Sequence, residues 1–233
     1  ISTLAFNSLF EFVKNATVEH LLPFLFSCLA VFESVTFSNE HYLFYMIDLL
    51  TELICKLGVN IDDNSLDKIW SILTTAANKY PHQTVLPISA LSKTNNPKYS
   101  QLLPTILVNL ILPGIQTEDF NPSLTGLTII FNSIDFTPFV SVLSEILPIL
   151  MIILNNQDIP VSNKRMAIEC LDAMSKAMPE LFAQNTAIIL PIVCELTQQL
   201  NDWEDFNTNS SFMRFLNTVM TNEFVELENK ALS

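Results

Sequence analysis

The chain has 233 residues, 49% of them hydrophobic and 15% charged, with 11 Lys and Arg against 24 Asp and Glu for a formal net charge of −13. So acidic a field repels nucleic acid and draws basic ligands from a distance, less so as salt rises, which excludes direct DNA or RNA binding. The mean hydropathy of +0.36 is high, yet the longest runs free of polar residues, 146–154 and 187–194, are far shorter than the ~18 residues of a spanning helix, so membrane insertion is excluded as well.

With only three glycines and little of the two-residue alternation of half-buried strands, the chain reads as helices throughout. They are expected near 3–14, 17–34, 39–57, 64–79, 83–93, 99–113, 122–134, 138–155, 161–177, 180–200 and 209–230. The second carries Leu21-Leu22-Pro23-Phe24. Ser38 ahead of Asn39-Glu40 marks the start of the third, and Gly58 its end, where a left-handed residue often closes the last turn. Asn64-Ser65 leads into Leu66-Asp67-Lys68-Ile69-Trp70, the fourth. Leu102-Leu103-Pro104-Thr105 opens the apolar run of the sixth, which Gly114 closes. Ile146-Leu147-Pro148-Ile149 opens that of the eighth, Ser162 precedes the ninth, and Pro179-Glu180 begins the tenth, which carries Ile189-Leu190-Pro191-Ile192.

The four Leu-Pro phrases recur at steps of about forty residues or twice that, the period of helix-pair arrays. A proline loses nothing in the first turn of a helix, whose first N–H groups have no intrahelical partner. Pro23, Pro104, Pro148 and Pro191 are therefore expected in the first turns of second helices, on one side of a stack, with Leu150 and Ile192 in the core. Pairing consecutive helices gives a single array over 1–233, about five pairs with the start of a sixth. That is an all-α HEAT-repeat α-solenoid. Phe6, Leu9, Phe10 and Phe12 at one end, and Phe212, Phe215, Leu216 and Val219 at the other, look like surfaces for further repeats. A fragment of a longer solenoid is expected. Such arrays offer extended binding surfaces, which points to a binding protein rather than an enzyme.

The residues that do chemistry are scattered. His20, His41 and His82 each lack a second ligand at metal spacing. No P-loop, dinucleotide fingerprint, nucleophile elbow or EF-hand loop is present. No catalytic residue, metal ligand or cofactor is expected. Cys28, Cys55, Cys170 and Cys194 lie in apolar segments without CxxC pairing and read as free thiols of a reducing compartment. Two acidic features have two readings each. Asp62-Asp63 with Asp67 suits the positive end of a helix or a partner site. The stretch Asp202, Trp203, Glu204 and Asp205, followed by Phe206, suits capture of a basic peptide by charge attraction, stem packing and cation–π contact. The same stretch could be a solvated loop whose two aromatics pack on the core.

The later half, from Gln101-Leu102-Leu103-Pro104 to Asp202-Trp203-Glu204-Asp205, resembles the importin-β (karyopherin-β) superfamily, especially its branch that imports ribosomal proteins and histones. Lys164-Arg165-Met166-Ala167-Ile168-Glu169-Cys170-Leu171 is similar to that family's first-helix pattern R-x-A-x-E-x-L. Pro179-Glu180-Leu181-Phe182 resembles the turn that follows, and Asp202-Trp203-Glu204 the acidic, tryptophan-bearing segment after the second helix. The resemblance implies a superhelix in nucleus and cytoplasm that grips basic protein cargo, releases it to Ran-GTP and meets nucleoporins, with no cofactor. No residue of this chain is matched to a Ran contact, and the acidic loop here is short. The alternative is a HEAT-repeat scaffold subunit of a stable multiprotein complex.

Overall fold

The computed structural model describes residues 3–34, 40–133, 140–199 and 210–221, and among them there are eleven helices and no strand. They are α1 (Thr3–Asn15), α2 (Val18–Ser34), α3 (Glu40–Leu57), α4 (Asp63–Ala77), α5 (Pro81–Ala90), α6 (97–115, with a π turn inside it), α7 (Asn121–Phe131), α8 (Val140–Asn155), α9 (Val161–Ala177), α10 (Pro179–Gln199) and α11 (210–221). The fold class is all-α, and the helix limits lie close to those read from the sequence. The chain divides into two compact units, Ile1–Gly114 and Ile115–Ser233.

Local chemistry sets the helix ends. Asp62 caps α4, its carboxylate accepting from the Ser65 backbone N at 3.0 Å and from Ser65 Oγ at 2.8 Å; the start therefore lies just upstream of the expected Asn64-Ser65. Gly58 has φ of +49°, and a Cβ there would stand 3.1 Å from the carbonyl oxygen of Lys93, so two reasons favour glycine. Gly114 does not play the expected left-handed part, because it is a buried residue inside the last helical turn of α6. The left-handed residue that the sequence did not announce is Asn95, at φ 52°, a conformation asparagine tolerates better than most residues. It closes a 3₁₀ turn at Leu91–Thr94, after which Asn96 caps α6 by accepting from the Lys98 backbone N at 2.9 Å, with Pro97 in the first turn.

In the first unit, helices two apart in the chain lie against each other. α1 packs on α3 and α3 on α5, while α2 packs on α4. Phe6 is inserted between α1 and α3, stacked on Tyr45 at 4.8 Å and edge-on to Tyr42 at 5.4 Å. Consecutive helices close the second direction. Leu43 and Ile47 of α3 meet Ala76 of α4, and Phe12 of α1 meets Phe24 of α2 edge-on at 5.3 Å. Each helix thus buries two flanks, which is why the sequence is so apolar.

The second unit repeats the arrangement. α7 lies on α9, α8 on α10, and α9 also touches α8 and α10. Leu124, Leu127 and Ile130 of α7 and Ala167, Ile168, Cys170 and Leu171 of α9 are buried without exposed surface. The last helix, α11, is fastened by an edge-on contact of Phe215 with Phe182 at 5.7 Å and by polar ties to α9. Asp172 of α9 lies at their centre, a buried carboxylate that accepts from Lys176 Nζ at 2.7 Å and from Thr218 Oγ1 at 3.0 Å and pairs with Arg214 Nε at 3.2 Å. Ser211 Oγ donates to Glu169 Oε1 at 2.8 Å.

The proline expectation needs correction. Pro23, Pro104, Pro148 and Pro191 lie on α2, α6, α8 and α10, the second helices of four of the five pairs, but inside them rather than in their first turns. Each interior proline removes one rung of the helical hydrogen-bond ladder. Pro23, Pro148 and Pro191 are exposed and Pro104 half-buried, so the interrupted rung lies toward water, which can satisfy the freed carbonyl. After Pro104 the helix also widens into a π turn at Leu107–Ile111 before resuming as α-helix at Leu112. Ile192 is half-buried rather than in the core, whereas Leu150 has no exposed surface.

Candidate functional site

The stretch Asp202, Trp203, Glu204 and Asp205 lies outside the described residues. The site that the structure does describe is in the first unit, between α4 and the start of α6. Asp63, Leu66, Asp67 and Trp70 sit at i, i+3, i+4 and i+7 on one face of α4. Opposite stand Leu91 and Thr94 of the 3₁₀ turn and Asn96 to Tyr99 and Leu102 of α6. Together they bound a cavity of about 380 Å³, within the size range of ligand pockets. The left-handed turn at Asn95 and the cap at Asn96 aim the first turn of α6 at α4.

Its rim is polar. Asn96 Nδ2 donates to Asp63 Oδ1 at 2.9 Å, and the Lys98 ammonium pairs with Asp67. Both partners of that pair are more than half exposed, 64% and 61%, so the pair is weak and exchangeable. Asp62, one residue away, is engaged in capping, and the Ser65 backbone N–H it accepts holds its carboxyl below the ordinary value. Of the two readings of the acidic group, the helix-end role holds for Asp62, while Asp63 and Asp67 line the cavity.

The interior is apolar and aromatic. Trp70 is half-buried and meets Tyr99 edge-on, with ring centroids 6.5 Å apart. Tyr99 is buried, its phenol is pushed upward by desolvation, and its hydroxyl has no hydrogen-bond partner among the described residues. A buried hydroxyl without a partner carries a desolvation cost of about 1–3 kcal/mol. Tyr99→Phe is therefore expected to leave stability unchanged or raise it by up to about that amount, read as the midpoint of urea unfolding; a lower midpoint would mean that the hydroxyl is bonded. Two carboxylates at the rim and aromatic and leucine walls below suit a cation with an apolar stem.

The other candidates are structural. Cys28 and Cys170 are buried, and desolvation pushes their thiols up to about 11 and about 12, far from the thiolate needed for reactivity. Cys55 and Cys194 are half-buried, and burial raises Cys55 too. His20 shares a 2.8 Å hydrogen bond with Thr17 at the start of α2, and His82 is exposed at the start of α5; the side chain of His41 is outside the described set. Among the described residues no three His, Cys, Asp or Glu side chains could share a metal ion, and no helix is long and apolar enough to cross a membrane. Lys164 is buried, its Nζ donating to the Leu154 carbonyl at 2.8 Å at the end of α8. Desolvation lowers its pKa, with Glu195 pulling the other way. Arg165 and Glu169 form an i,i+4 pair at 3.8 Å, and Ala167, Leu171 and Phe182 are core.

Family models, curated proteins and solved structures were compared with the chain, and none matches. Asn96, Lys98, Trp70 and Tyr99 were not singled out as site residues by the sequence. The available signal was the acidic start of α4 together with Asn95-Asn96-Pro97, a turn-and-cap pattern that begins α6.

Proposed function

We propose that this chain is a stretch of HEAT-type α-solenoid that holds a basic protein partner without catalysis. The observation that carries the reading is the stacking of alternate helices, α1 on α3 on α5 and α7 on α9, whose starts lie at residues 3, 40 and 81 and at 121 and 161. Steps of about forty residues with two layers of helices are what helix-pair arrays display. The net charge of −13 supports the sign of the partner.

Within that class, the specific form we propose is a nuclear transport receptor that moves between cytoplasm and nucleus, carries basic cargo and answers to Ran-GTP. Its support is the likeness of 164–171 and 179–182 to importin-β repeats. A scaffold subunit of a stable complex is the second reading. It is favoured by the internal use of those same residues: Arg165 pairs with Glu169, Glu169 accepts from Ser211, and Phe182 packs on Phe215. A pull-down with the immobilised chain separates them. A transport receptor retains Ran loaded with a GTP analogue over Ran-GDP and releases a lysine-rich peptide when the former is added. Equal, weak retention of both nucleotide states favours the scaffold.

A further inference from the structure

We propose that the cavity between α4 and the start of α6 receives a lysine or arginine side chain from an extended basic segment of the partner; this deepens the basic-partner reading above and rests on it. Four features of the cavity converge on that occupant. Two carboxylates, Asp63 and Asp67, stand one helical turn apart at its rim. Asp63 is bonded to a neutral amide of Asn96, which leaves its charge uncompensated by that contact. Half-buried Trp70 also lines the cavity, and tryptophan is the ring type that attracts a cation most strongly. Leu66, Leu91 and Leu102 supply apolar walls for the methylene stem, the part of such a side chain that gains from burial.

The fourth feature is Lys98. The chain places its own ammonium on Asp67, so the rim is already built to hold a cation of this kind. Both groups are largely exposed, and an arriving side chain that also reaches Trp70 and the leucines adds burial of its stem to the ion pair. Lys98 therefore acts as an internal competitor: it occupies the acid until a better-seated cation displaces it. The net charge of the chain assists approach from a distance, whereas the cavity selects at contact.

The test titrates the full chain with a fluorescently labelled peptide of alternating Lys, Arg and Gly, and with a Ser/Gln peptide of the same length, following anisotropy at two salt concentrations. The paired substitution Asp63→Asn with Asp67→Asn is expected to weaken the basic peptide about tenfold or more. Lys98→Ala is expected to tighten it several-fold. Glu11→Gln and Lys14→Ala alter the same kinds of charge on α1, away from the cavity, and are expected to move affinity by less than about twofold. Circular dichroism keeps the folded state of each variant in view. Because Trp70 also packs against Tyr99, Trp70→Phe, which keeps a ring, is the aromatic variant; it is expected to speed dissociation with the helix signal intact.

Cavity variants that bind the basic peptide like the parent, or that change no more than the α1 controls, overturn this proposal while leaving the basic-partner reading standing. A parent chain that binds neither peptide, or both equally, overturns both.

Discussion

Removing both cations around Asp172, as Lys176→Met with Arg214→Met, is expected to destabilise the second unit by about 3–5 kcal/mol. The reason is an asymmetry of burial. The Asp172 side chain is only 5% exposed, whereas those of Lys176 and Arg214 are 51% and 55% exposed. Among the described residues, deleting the cations leaves this buried carboxylate with the Thr218 hydroxyl alone to offset its lost hydration. Deleting the carboxylate instead frees two side chains that water readily solvates, so Asp172→Ala is expected to lose less than the double variant. Either single cation variant should lose less than half of the double loss, because the remaining partner still serves the carboxylate. Urea unfolding curves of the four variants check the order. A double variant that matches the parent would show that Asp172 is not held by this pair.

Truncating Leu150 to Ala is expected to cost about 2–5 kcal/mol. Leu150 is fully buried in α8, and the void left by its methyl groups is walled by helices on two sides that cannot all collapse inward. Ile152, two residues along the same helix, is 68% exposed, and Ile152→Ala is expected to change stability by no more than about 0.5 kcal/mol. Ile192→Ala, at a half-buried position, should fall between them. Thermal or urea midpoints give the comparison within one laboratory protocol. Equal losses at 150 and 152 would contradict the burial pattern of α8.

Helix positions were legible because apolar spacing reports burial directly, one residue at a time. Leu43, Ile47, Leu50 and Ile54 of α3 fall at helical spacing and all lie in the core. The period added which helices are neighbours. What neither signal carries is the depth of a residue along its helix. Pro23, Pro104, Pro148 and Pro191 were assigned to first turns because proline is harmless there, yet their helices begin well before them, at Val18, Pro97, Val140 and Pro179, and the exposed side of the helix tolerates the lost rung as well. The cavity was half legible for a related reason. Asp63 and Asp67 stood out in the chain, but their partners Asn96 and Lys98 lie 33 and 31 residues downstream. The meeting depends on the left-handed backbone at Asn95, which a repeat period does not encode. The single acidic feature chosen from sequence, Asp202 to Asp205, lies outside the described residues, so the structure leaves that choice where the sequence put it.

In the first unit α2 and α6 carry an interior proline and α5 carries Pro87, while in the second unit α8 and α10 carry one and α7 and α9, packed against each other, carry none in their interiors. In mechanical terms helices with and without such a proline differ in flexural stiffness. A helix with a continuous ladder resists bending along its whole length, while one with a missing rung yields at that point. Within each unit, strain applied from outside will therefore gather at the missing rungs of the proline-bearing helices, and the helices with continuous ladders will keep their shape.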